Sequence, residues 1–208
     1  SAARAFGVGS GSSLVLDGGA GNIAIPANYS TMSLNGGGNT LLGPVSGALV
    51  NWAGTNSVPG AVTLAANTYI ASLGGRLTLG GNISGAFTLT SWGDGDTELS
   101  GVLGIAAGGL GKNGAGTMTL SGAANNTFTG PTAVSGGKLV LNKSGSAYAI
   151  NSGLVSVSSG GVLQYAAGSG NNNINSAGIY LYGTGQLDFN GATDTIGSIS
   201  NYSYYGVA

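Results

Sequence analysis

The residues best suited to chemistry in this chain are Asp94, Asp96 and Glu98 in the stretch WGDGDTEL, the densest run of carboxylates in a sequence with six acidic residues in all. Their i, i+2, i+4 spacing puts all three on one face of an extended segment. Such a face has three uses. The glycines at 93 and 95 allow a tight loop, so oxygen ligands for Ca²⁺ could gather there, which makes these three residues the one metal candidate, and a weak one. Paired carboxylates are also the equipment of a glycoside hydrolase. The third use is a solvated loop, and because the cluster occurs only once, the solvated loop is favoured.

Catalysis would need more than carboxylates. A polysaccharide lyase needs a strong base and a cation, and a hydrolase needs clustered carboxylates with basic partners. The chain offers only Arg4, Arg76, Lys112, Lys138 and Lys143, no His, and isolated Asp17, Asp188 and Asp194. Arg76 and Asp94 are candidates for neighbours across adjacent repeats. There is no Cys, hence no thiol chemistry and no disulfide. The expectation is a non-enzyme without a cofactor. A net charge of −1 with no basic patch argues against nucleic-acid binding. No apolar run reaches the roughly 18 residues of a spanning helix. The opening residues, SAARAFGVGSG, lack the basic and apolar regions of a secretory signal and an initiator Met, so the expectation is a processed or excised piece.

Composition says what must position these residues. Gly makes up 43 of 208 residues and charged residues only 5%. Gly weakens helix interiors and serves tight turns, so an α-rich fold is disfavoured. The glycines lack the G-X-Y period of collagen, and regular apolar alternation separates the chain from a disordered linker. Short alternating segments recur: Leu14–Leu16, Met32–Leu34, Val62–Leu64, Leu77–Leu79, Phe87–Leu89, Met118–Leu120, Leu139–Leu141, Leu154–Val157 and Leu187–Phe189. Each reads as a strand, with its apolar ends inward and Thr or Ser outward in most cases. Gly-Gly, Asn-Gly and Ser-Gly clusters between them are turn chemistry.

Strands of the same type recur at 21 to 25 residues, as from Leu99 to Leu120 and from Val162 to Leu187. Three short strands and three turns need about that many residues, whereas a four-stranded propeller blade needs about 40. The fold class expected is all-β, a right-handed parallel β-helix (β-solenoid) of about eight coils with three short strands each. One such coil cannot bury its apolar face alone, and stacking at about 4.8 Å gives a continuous narrow core. The expected inward set includes Leu77, Leu79, Met118, Leu120, Leu139, Leu141, Leu187 and Phe189. Asn125, Asn126, Asn171, Asn172, Asn173 and Asn175 fall at expected turns, where stacked amides would form ladders or serve simply as loop residues.

Residues 114–142 read GAGTMTLSGAANNTFTGPTAVSGGKLVLN. This is similar to the autotransporter-associated β-strand repeat, whose pattern is G-x-G-T-L-T-L-S-G-x-N-T-Y-x-G-x-T-x-V-x-x-G-x-L-x-L-N. The match runs through Gly114, Gly116, Thr117, Leu120, Ser121, Gly122, Asn126, Thr127, Gly130, Thr132, Val134, Gly137, Leu139, Leu141 and Asn142. Met118 replaces Leu, Phe128 replaces Tyr, and Pro131 stands for a small residue. Residues 76–113 and 143–200 resemble the flanking segments of that pattern. The division expected is therefore 1–60 as divergent N-terminal coils or a cap, and 61–208 as repeat-like coils continuous with them. The resemblance implies a bacterial cell-surface or extracellular location and a β-helical passenger.

Seven of the nine tyrosines are Tyr148, Tyr165, Tyr180, Tyr182, Tyr202, Tyr204 and Tyr205. Tyr is common in strands for its propensity alone, and the last three are also the candidates for self-association. Together these features lead to an expected non-catalytic structural protein, a rod or filament subunit that forms a homopolymer or continues as part of a longer surface protein. The alternative is an adhesin stalk that binds a glycan or host protein.

Overall fold

The computed structural model describes residues 3–41, 46–151, 153–170 and 173–202. The chain winds through nine successive coils. The first holds β1 (Arg4–Val8) and β2 (Leu14–Asp17), and the second β3 (Tyr29–Leu34), β4 (Leu49–Ala53) and β5 (Thr55–Val58). The third holds β6 (Ala61–Leu64), β7 (Thr68–Ser72) and β8 (Arg76–Leu79), and the fourth β9 (Ile83–Ser84), β10 (Leu89–Trp92) and β11 (Asp96–Leu99). The fifth holds β12 (Leu103–Gly104), β13 (Leu110–Lys112) and β14 (Thr117–Gly122), and the sixth β15 (Thr132–Val134) and β16 (Lys138–Lys143). The last three hold β17 (Leu154–Val157) with β18 (Val162–Tyr165), β19 (Gly178–Tyr182) with β20 (Gln186–Asp188), and β21 (Ser198–Tyr202).

Each strand pairs in parallel with its counterpart one coil on, which builds three sheets of five, nine and seven strands. There is no α-helix among the described residues. β1 and β2 pair onto β3 and β4, and β3, β4 and β5 pair directly onto the strands of the third coil, so the same sheets run through the first segment.

Alternation within each strand becomes columns along the rod. In the seven-stranded sheet Leu77, Thr97, Met118, Leu139, Leu163 and Leu187 are in register, and Leu79, Leu99, Leu120, Leu141 and Tyr165 form the column beside them. Leu77, Leu79, Met118, Leu120, Leu139 and Leu141 are fully buried, while Leu187 and Phe189 pack on the core partly buried. Phe87 departs from the expectation. It sits in the corner ahead of β10 and is exposed, so Leu89 begins the strand and takes the inward place.

Among the described residues, three strands per coil hold only for the second to fifth coils. The five-stranded sheet ends, among the described residues, at β12, and the third side is then made by irregular segments within 123–131, 144–151, 166–170, 173–177 and 189–197. Asparagine side chains replace the missing ladder there. Asn126 accepts from Leu103 N–H (2.8 Å) and donates to Ala149 C=O (2.8 Å), so one amide spans three coils as a peptide group would. Asn125 accepts from Tyr148 N–H and Asn173 from Lys143 N–H. Of the two readings of these asparagines, ladder or loop residue, a ladder forms here, but it is largely amide-on-backbone. At this side a side chain pairs with a side chain between Asn175 and Asn151 (3.1 Å). Asn171 and Asn172 lie outside the described residues.

Glycine sets how closely coils approach at the corners. A Cβ on Gly101 would overlap the carbonyl of Gly81, and one on Gly81 would overlap the carbonyl of Gly60. These obstacles are backbone and cannot rotate away. Gly101→Ala should therefore destabilise the chain by about 1–3 kcal/mol, as overpacking does. Gly9→Ala meets nothing within 4 Å and should change stability by less than about 0.5 kcal/mol. Urea denaturation of the two variants checks the contrast.

Candidate functional site

Alternation in β11 turns Thr97 and Leu99 inward and leaves Asp96 and Glu98 on the outer face, while Asp94 falls in the turn before the strand. The three acids therefore do not share one extended face. Register places Arg76 of β8 directly opposite Asp96. Its guanidinium lies 3.1 Å from Glu98 Oε2 and 3.9 Å from Asp96 Oδ2. Arg76 thus meets Asp96 and Glu98 rather than Asp94. Glu98 Oε1 also accepts from Ser121 Oγ (2.8 Å), and Asp96 Oδ1 accepts from Thr117 N–H (3.0 Å). These contacts tie three consecutive coils together across the outer face. Among the described residues no three acidic side chains converge as a metal cage would require.

The remaining carboxylates hold turns. Asp194 accepts from Tyr165 Oη (2.8 Å), Ile174 N–H and Thr195 N–H. Burial, and then this hydrogen bond, pushes the Tyr165 phenol well above its usual range. Asp188 accepts from Gln164 and from Asn190 N–H, which lowers its carboxyl pKa.

Beneath the acidic strand, the core is polar. Asn51, Asn56, Ser72, Ser91, Thr97 and Lys112 are all buried along the corner between the nine- and seven-stranded sheets. Asn51 donates to Ser72 Oγ (3.0 Å) and accepts from Asn56. Ser91 and Thr97 hydroxyls pair at 3.1 Å, and Lys112 follows Ser91 in register. The Lys112 ammonium donates to Asn113 O (2.8 Å), Gly114 O (2.8 Å) and Gly136 O (3.3 Å), so each of its protons has an acceptor. Burial lowers its pKa to about 8 against the opposing pull of Asp96 and Asp94.

Lys143, at the end of β16, is equally buried, and among the described residues its ammonium donates to Gly101 O alone, at 3.3 Å. Burial alone brings its pKa to about 8. Sequence reasoning missed both buried lysines, because a Lys at an alternating position ordinarily reads as solvated. The signal was available for both, since Lys112 stands two residues after Leu110 and Lys143 two after Leu141, each sharing the face of its leucine.

Aromatic side chains decorate the outer face of the nine-stranded sheet at two places. Tyr202 stacks on Tyr180 (5.7 Å between centroids) and on Tyr182 (5.3 Å). Tyr204 and Tyr205, the other self-association candidates, lie outside the described residues. Near the opposite end, Tyr69 and Trp92 sit together with centroids 6.3 Å apart.

Comparison with known proteins places one segment of this rod. No curated protein and no solved structure matches the chain. Residues 110–141, from β13 to Leu141 of β16, match the family model described as the passenger-associated-transport-repeat. That segment carries Lys112, the Asn126 bridge and the Met118–Leu120 core positions, and it lies within a β-solenoid, as a repeat from an autotransporter passenger would.

Proposed function

We propose that the chain is a non-catalytic structural segment of a bacterial surface or extracellular protein, a rod whose stacked coils are themselves the function. The observation that carries this reading is the passenger-associated repeat lying in register inside an uninterrupted parallel solenoid. The acidic residues support it, because five of the six spend their oxygens on turns and inter-coil contacts. Incubation with pectin, alginate, glucans and chitin should release no product. Turnover that Asp94→Asn or Asp96→Asn abolishes would overturn the reading.

The rod would be extended at its open strand edges, by a neighbouring copy of this chain or by further coils of a longer surface protein. Among the described residues one edge is β21 with the Tyr180–Tyr182–Tyr202 stack, and the other end exposes an apolar groove of Phe6, Leu14, Ile25 and Tyr29. Copies of net charge −1 repel one another weakly. In mass photometry at micromolar concentration, association is expected, and Tyr202→Lys should disperse it.

A further inference from the structure

Corner connections from the five-stranded to the nine-stranded sheet are short in the third to fifth coils, at 65–67, 85–88 and 105–109. In the second coil the same corner runs from 35 to 48, of which 42–45 lie outside the described residues. An insertion of this length on an otherwise economical corner is where binding surfaces are usually built. The described parts of this one are pinned. Ser13 Oγ donates to Gly47 O (2.7 Å) and accepts from Asn39 N–H (2.8 Å), Ala48 N–H donates to Tyr69 O (2.8 Å), and Tyr69 N–H donates to Gly36 O (3.2 Å).

Between Gly37, Gly38, Thr40 and Ser46 of this corner and the outer face of the nine-stranded sheet lies a cleft of about 440 Å³. Tyr69 of β7 and Trp92 of β10 form its aromatic wall, their rings inclined at 46°, and Ser10, Thr40 and Ser46 supply hydroxyls around it. Among the described residues no charged side chain lines it. The Trp92 indole Nε1–H is buried without an acceptor, although an unpaired buried donor costs about 1–3 kcal/mol.

We propose that this cleft binds a neutral saccharide, with a sugar ring laid against Tyr69 and Trp92 and its hydroxyls bonded to the Ser and Thr rim. An aromatic wall beside neutral hydroxyl groups suits the apolar face and polar edge of a sugar. The alternatives fit less well. A peptide strand would need a free sheet edge, but β7 and β10 are both paired on each side. An acidic glycan or phosphate would meet no counter-charge, and an acyl chain would leave the rim hydroxyls unsatisfied. This inference goes beyond the structural reading and can fail without it.

The test uses the full chain with Trp52→Phe, which leaves Trp92 as the one tryptophan, labelled with ¹⁵N. Maltohexaose, cellohexaose, mannohexaose and chitohexaose are titrated, with oligogalacturonate and a hydrophobic dye as comparisons. A saturable shift of the Trp92 indole N–H resonance is expected with at least one neutral oligosaccharide. Tyr69→Ala should weaken that binding by about tenfold or more, with the melting temperature retained. Should Tyr69→Ala unfold the chain, Thr40→Lys on the exposed rim serves instead, with the same loss expected. The proposal is overturned if no neutral oligosaccharide saturates the shift below ~10 mM, if the variants bind as well as the parent, or if only oligogalacturonate or the dye binds.

Discussion

Replacing Leu120 by Asp should remove more than about 4 kcal/mol of stability, the range reserved for an uncompensated charge placed in a packed core. Leu120 is fully buried, with Leu99 in register on one side and Leu141 on the other. No cation is in register with it in either adjacent coil. The adjacent outward position is the control. Thr119 lies between Glu98 and Val140, and Thr119→Lys should change stability by less than about 0.5 kcal/mol while gaining an acidic neighbour. Because a one-residue slip exchanges the two faces of a strand, the pair also reads the register. Urea unfolding followed by circular dichroism checks it. A tolerant Leu120→Asp beside a damaging Thr119→Lys would mean that β14 is inverted.

Stability should rise with pH over a range where most proteins gain nothing. Lys112 and Lys143 have folded pKa values of about 8, against roughly 10.4 for an unfolded lysine. Below pH 8 both states carry the proton, and the fold bears the burden of two buried ammonium groups. Between pH 8 and about 10 the folded state releases these protons while the unfolded chain keeps them, so unfolding becomes harder. The gain is on the order of 2–3 kcal/mol for each lysine. Tyr165 reverses the trend above about pH 10, since the unfolded phenol ionises there while the buried one keeps its proton. The urea midpoint should therefore peak near pH 10, and a flat or falling profile from pH 7.5 to 10 would refute the assignment.

The two lysines should respond oppositely to methionine. Lys143→Met exchanges a poorly bonded ammonium for an apolar chain of similar length, and should stabilise the protein at pH 7 while flattening about half of the rise. Lys112→Met strips the donor from three carbonyls and should destabilise it.

The inward leucines of β8, β14 and β16 could be read from sequence because alternation is local and needs only three residues to show. The period of the coils was legible for the same reason. Phe87 deceived because Phe-Thr-Leu mimics the triplet pattern, although the chain is still turning a corner there. The polar corner from Asn51 to Lys112 was not legible, since its partners are brought together only by stacking, as Asn51 and Ser72 are across 21 residues. The cleft beside Tyr69 was hidden for a similar reason. Residues 1–60 read as divergent coils or a cap, with nothing to single out the long corner, and Tyr69 and Trp92 become neighbours only once β7 and β10 pair.

The backbone hydrogen bonds between coils lie along the rod, and this determines how it yields to tension. A tether pulling the two ends apart loads those bonds one coil at a time, as a zipper is opened, instead of shearing a whole sheet at once. Counterpart residues are 21 apart at Thr97 and Met118 and 24 apart at Leu163 and Leu187. Each coil released would pay out about 70–85 Å of extended chain. Force on such a rod is met by stepwise lengthening, with the remaining coils still folded. Under load, a segment of this kind would therefore lengthen before it breaks.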